Sequence, residues 1–65
     1  MDEMEELKAR IRKLNAQATQ LKMDLHDLSE DLPIGWENIP DMAARTFEAY
    51  QALTEARATQ KGAEK

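Results

Sequence analysis

Apolar residues recur along the first half of the chain at Met4, Leu7, Ile11, Leu14, Ala18, Leu21, Leu25, Leu28 and Leu32, with gaps that alternate 3 and 4 without a break. A 3.5-residue period held this long is the contact line of an α-helix against another helix, and neither a strand nor a loop produces it. The pattern predicts a first helix over about 3–32. Asp2 is placed to cap its start, with Glu5 three residues on and Glu3 and Glu6 at the positive end of the helix dipole. Pro33 disfavours helical geometry in the residue before it, so the helix is expected to stop at Leu32.

Both prolines and one of the two glycines fall in Pro33-Ile34-Gly35-Trp36-Glu37-Asn38-Ile39-Pro40. Proline fixes φ and glycine supplies a left-handed backbone, so 33–38 is predicted to be a hinge. A second helix follows over about 39–60, capped by Asn38 or Ile39 and with Pro40 in its first turn, where a missing N–H is harmless. Lys61 and Gly62 look like a C-terminal ending, with 61–65 expected to fray. The second seam is weaker than the first. Ile39, Met42, Thr46, Ala49, Leu53, Ala56 and Gln60 keep the spacing but are small or partly polar, and Phe47 and Tyr50 widen the stripe on one flank. No internal repeat is present.

The predicted fold is therefore all-α, an antiparallel two-helix hairpin. Its core is expected to comprise Leu7, Ile11, Leu14, Ala18, Leu21, Leu25, Leu28 and Leu32 from the first helix and Ile39, Met42, Thr46, Ala49, Tyr50 and Leu53 from the second. Such a layer leaves one side of its leucine seam wet. Self-association into a homodimeric four-helix bundle is the expected remedy. Charge supplies an orientation. Residues 7–23 carry Lys8, Arg10, Arg12, Lys13 and Lys22 with no acid, and residues 24–44 carry Asp24, Asp27, Glu30, Asp31, Glu37 and Asp41 with no base. Folding gathers the acids at the hinge, so two copies with hinges at opposite ends attract and two with hinges together repel.

Composition narrows the chemistry. With 65 residues the chain is one small domain. Thirteen acids against nine bases give a formal charge of −4, which disfavours a general polyanion binder. The five basic residues of the first helix scatter round it, so nucleic acid is an unlikely partner, although an RNA-binding regulator using a bundle face is the alternative to a protein-interaction role. There is no cysteine and one histidine, leaving no disulfide framework, no thiolate metal site and no cysteine nucleophile. The longest apolar run, Met42-Ala43-Ala44, is far too short to cross a membrane, and the start of the chain is acidic rather than signal-like. A cytoplasmic protein without enzymatic activity or cofactor is expected.

The densest polar chemistry lies in 23–31. His26 and Glu30 are i,i+4 neighbours, as are Asp27 and Asp31, but His26 sits off the leucine seam, so the cluster reads as a solvated acidic face rather than an inward metal centre. His26 and Ser29 lack the cavity and oxyanion hole that a hydrolytic triad needs. Ala9, Ala16 and Met23 form a narrow stripe opposite the seam, read as helix-favouring surface. Trp36, the largest apolar side chain, is expected to cap the end of the core; the other reading is an exposed anchor for a partner.

The run Leu21-Lys22-Met23-Asp24-Leu25-His26-Asp27-Leu28-Ser29-Glu30-Asp31-Leu32-Pro33, followed by Gly35-Trp36-Glu37, Ile39-Pro40 and Thr46-Phe47-Glu48-Ala49-Tyr50, resembles the Rop-like small proteins encoded in nitrogen-fixation gene clusters of diazotrophic bacteria. The resemblance covers roughly residues 5–58. It implies a self-associating helical hairpin that serves as a non-enzymatic accessory in nitrogen fixation, with a nitrogenase component or maturation factor as partner. The Rop name reflects a hairpin shape shared with a plasmid RNA-binding regulator, and shape does not carry function. Residues matching the family signature, Asp24, His26, Asp27, Glu30, Asp31, Gly35, Trp36 and Glu37, coincide with the acidic hinge end. Of these, Asp24, His26, Asp27, Glu30, Asp31, Trp36 and Glu37 are the candidate partner-binding residues.

Overall fold

A computed structural model describes residues 2–63. Helix α1 spans Glu3–Asp31, a single 3-10 turn spans Trp36–Asn38, and helix α2 spans Ile39–Ala63. The two helices lie side by side in an antiparallel hairpin, a rod of 47 × 16 × 13 Å.

Local chemistry accounts for both ends of α1. Asp2 holds an extended backbone, φ −82° and ψ 164°, and its Oδ1 accepts the Glu5 backbone N–H at 2.9 Å, satisfying one of the orphan donors of the first turn. Glu3, Glu5 and Glu6 add negative charge to that turn. At the other end Leu32, ahead of Pro33, leaves helical geometry with ψ 142°.

The hinge is a ladder of tight turns. Ile34 N–H donates to the Asp31 carbonyl at 3.0 Å, Trp36 N–H to Pro33 at 3.3 Å and Asn38 N–H to Gly35 at 2.9 Å. Among the described residues Gly35 alone takes a left-handed backbone, φ 78°, and a Cβ there would lie 3.2 Å from Leu28 Cδ1. Bare glycine backbone thus closes over the last leucine of the seam. The expected capping role of Ile39 is corrected: Ile39 is already helical at φ −55° and ψ −49°, so α2 grows directly out of the 3-10 turn.

The far end of α2 departs from expectation as well. Gly62 shows no positive φ and does not stop the helix, which runs through Lys61 and Gly62 to Ala63. Glycine permits the left-handed ending without compelling it, and nothing packs within 4 Å of its Cβ position. Residues 64 and 65 of the expected frayed tail lie outside the described residues.

Arg57 Nη2 donates to Asn15 Oδ1 at 3.3 Å across the hairpin, which marks the register of the two helices. One turn away on each side, Ala18 and Leu53 are buried, and with Ala56 they make up the fully enclosed apolar core. A small residue at the closest approach lets the helix backbones come together. Leu7, Ile11, Leu14, Leu21, Leu25, Leu28, Met42, Thr46 and Ala49 are half-buried. Leu32, Ile39 and Tyr50, placed in the core by their spacing, remain exposed in the hairpin. The first two sit where the chain turns and no second helix lies opposite; Tyr50 falls on the outer flank of α2.

The two glycines should respond oppositely to alanine. Gly35→Ala forces a side chain into the left-handed region against Leu28 and should destabilise the fold by about 1–2 kcal/mol, whereas Gly62→Ala should stabilise it by up to about 1 kcal/mol. Thermal or urea denaturation followed by circular dichroism checks both signs.

Candidate functional site

The sequence-derived candidates occupy the last two turns of α1 and the hinge. Asp24 is half-buried and its Oδ1 accepts from Gln20 Nε2 at 2.9 Å, one turn earlier. His26 stands between two carboxylates, with Nε2 at 3.3 Å from Glu30 Oε1 and Nδ1 at 3.9 Å from Asp27 Oδ1. All three side chains are exposed. Helical spacing brings His26 and Glu30 together as i,i+4 neighbours, while Asp27 approaches the imidazole only as the adjacent residue. Ser29 is engaged locally: its hydroxyl donates to the His26 carbonyl at 2.7 Å. No group of three or more His, Asp or Glu side chains is arranged to hold a metal ion among the described residues.

Asp31 ends α1 and gives its carbonyl to the hinge, while its side chain faces solvent. Glu37 lies exposed in the 3-10 turn. Asp41, in the first turn of α2, is held by Arg45 Nε at 3.1 Å. The structure therefore sets the His26 ring between Asp27 and Glu30 and leaves Asp24 turned back along its own helix.

Trp36 changes role. Its side chain is 61% exposed, which corrects the expectation that it caps the core. Gly35 already covers Leu28, so the indole is displaced outward by the left-handed turn just before it. Ile34, at 77% exposure, lies two residues away, and Leu32 and Ile39 are exposed on either side of the hinge. The hinge end thus exposes apolar side chains among acids.

Sequence reasoning missed a second surface. A groove of about 580 Å3 runs along the outside of the hairpin, lined by Leu25 from α1 and by Ala43, Thr46, Phe47, Tyr50, Gln51, Thr54 and Glu55 from α2. The Thr46 hydroxyl is turned away from it chemically, donating to the Met42 carbonyl at 2.8 Å. Phe47 and Tyr50 had been read only as widening the seam; the spacing of Ala43, Phe47, Tyr50 and Thr54 is the signal that marks a separate row.

A family model described as Rop-like matches residues 2–65. The chain belongs to the Rop-like family. Among relatives of this Rop-like hairpin, a UPF0437 protein from the nifX-nifW intergenic region of Frankia alni is 61% identical over 44 residues, covering 68% of this chain and 54% of that protein. This chain thus spans about half the length of that relative. A UPF0437 protein of Trichormus variabilis is 52% identical over 62 residues, covering 95% of this chain and 72% of its own. An NMR structure of a structural-genomics target superimposes with a TM-score of 0.90 at 57% identity, covering 97% of this chain and 89% of the other. The family match and the superposition agree with the helical hairpin, and the nif-region location belongs to the Frankia relative. No helix among the described residues is long and apolar enough to cross a membrane.

The environment of Trp36 has a direct readout, because it is the one tryptophan in the chain. Its fluorescence should be red-shifted and open to quenching. Relative to free N-acetyltryptophanamide, quenching by caesium should be enhanced and quenching by iodide reduced, because the surrounding carboxylates concentrate cations, and the difference should shrink as salt is added. Blue-shifted, quencher-resistant emission contradicts the exposed placement.

Proposed function

We propose that this Rop-like hairpin is a non-enzymatic assembly accessory in cytoplasmic nitrogen fixation, acting as a homodimer that engages a protein partner through its acidic hinge end. The observation that carries this reading is the exposed Trp36 and Ile34 pair set among Asp27, Glu30, Asp31 and Glu37. Burying an indole on a partner supplies affinity, and the carboxylates around it select a partner surface of opposite charge and speed the encounter. The partner of this reading is a nitrogenase component or a maturation factor, in line with the nif-region location of the Frankia relative.

Support for the dimer comes from burial. Three small or medium side chains are enclosed in the hairpin while most of the leucine row stays half-exposed. A 65-residue chain gains considerable stability when a second copy covers that surface. The basic residues of α1, by contrast, are spread round the helix and offer no stripe for RNA.

The test is recovery of partners from nitrogen-fixing cells with the full chain and with an Asp27→Ala/Asp31→Ala/Trp36→Ala variant of unchanged helicity. A protein retained by the first and lost, at least about tenfold, by the second is expected. Equal recovery of the same proteins by both overturns the assignment of the hinge end.

A further inference from the structure

The hydrogen bond from Arg57 to Asn15 tells which sides of the two helices face the same way. In an antiparallel pair, two turns forward on α1 match two turns back on α2, so Lys22 lies level with Tyr50, and Ser29 with Ala43, on that same long side. The groove described above runs along it. Leu25 forms the floor, Thr46 and Tyr50 the α2 wall, and Phe47, 69% exposed, the outer lip. The Asn15–Arg57 bond bridges one end, and the hinge lies at the other. From Ala43 to Arg57 the groove is about 21 Å long at 1.5 Å per residue, or four turns of helix.

This shape selects its occupant. The groove is an open trough, so it does not enclose a small molecule. Its walls are helical and present no strand edge for an extended peptide to join, whereas the side-chain rows of two adjacent helices make the kind of furrow that a third helix fills. Its lining is mostly carbon, which suits an apolar stripe rather than a phosphate backbone.

Charge gives the occupant a direction. Lys22 and Arg57 stand toward the bridged end of the trough, with Glu55 on the outer border, while Glu30, Asp31 and Glu37 gather at the hinge end. A helix is positive at its N-terminus and negative at its C-terminus, so it lies best with its N-terminus at the hinge, parallel to α2 and antiparallel to α1. The opposite long side, where Leu7 and Arg10 meet Ala52, Ala56 and Thr59, is left clear, so the leucine row stays open on that side to a second copy.

We propose that the trough between Lys22 and Tyr50 receives an amphipathic helix of a partner protein, about four turns long and parallel to α2, apolar on the buried face, basic in its first half and acidic in its last. This needs neither the dimer nor the docking of Trp36.

The test titrates the full chain with two synthetic peptides of about 16 residues, roughly 24 Å of helix, that share one leucine and alanine stripe and are stapled on the outer face to equal helicity. One carries lysines in its first half and glutamates in its last; the other carries them in reverse. By fluorescence anisotropy at low salt the first should bind at least about tenfold more tightly, and Lys22→Glu should remove most of that preference. Tyr50→Ala should weaken the first peptide at least about tenfold, and Arg10→Glu, on the opposite side, should leave the preference unchanged. Lys22 and Tyr50 are both exposed, so the variants should keep the helices, which circular dichroism checks. A nitroxide on the first residue of the peptide should broaden the amide resonance of Ala43 and spare that of Arg57.

Equal affinity for the two peptides, or a first peptide indifferent to both Lys22→Glu and Tyr50→Ala, overturns the proposal. Broadening at Arg57 in place of Ala43 overturns the direction. A poly-uridine oligonucleotide that binds the natural chain but not Lys22→Glu, while neither peptide binds, gives the trough to nucleic acid instead. A dimer in sedimentation equilibrium that Tyr50→Ala dissolves gives it to a second copy, and either of these results also overturns the proposal.

Discussion

Two helices laid against each other share one line of contact, and this geometric limit governs the whole molecule. Around Ala18, Leu53 and Ala56 the backbones come close enough to exclude water. Away from that line each cylinder curves off, so Leu7, Leu14, Leu21 and Leu25 are covered on one side only. The hairpin is consequently held by a narrow core and by strong local signals: the Asp2 cap, the i,i+4 pairs and the closure of the hinge by Gly35. Everything that distinguishes the molecule functionally lies on surfaces that a larger domain would have buried or charged.

Those surfaces divide into two by position and by chemistry. The hinge end offers aliphatic and indole carbon inside a rim of carboxylates. The flank of α2 offers the aromatic rings of Phe47 and Tyr50, with Glu55 on its border. The Rop-like family assignment gives the hairpin, and the separation of the two patches comes from the residues themselves.

Much of the architecture was legible in the sequence because it rests on local or strictly periodic chemistry. The uninterrupted alternation from Met4 to Leu32 admits one reading, and Pro33 and Gly35 have few conformations to choose from. What was not legible depends on where a side chain points once the chain has turned. Trp36 is apolar and adjacent to the seam, yet Gly35 takes the place over Leu28 and the indole is left outside. Gly62 carries the same signal as Gly35 but no packing gives it reason to act on it. Phe47 and Tyr50 were merged with the inner seam because the two rows differ by one position along the helix, and only the placement of α1 tells them apart. Acid content marked the hinge region from the start, although composition is silent on Asp24 bonding back to Gln20 while His26 joins its neighbours.

The separation of charge along a 47 Å rod has a consequence for motion as well as for binding. A slender body whose excess of acids gathers at the hinge tip, while acids and bases nearly balance at the other end, carries an electric dipole moment, and in the field of an electropositive surface it experiences a torque before it makes contact. Rotation is fast compared with diffusion over such distances, so a single chain would arrive tip first, with its indole leading. Pairing two chains head to tail cancels most of that dipole. The assembled form would then approach its target without orientational guidance, so assembly would change how quickly the tip finds a partner even where it leaves the tip itself untouched.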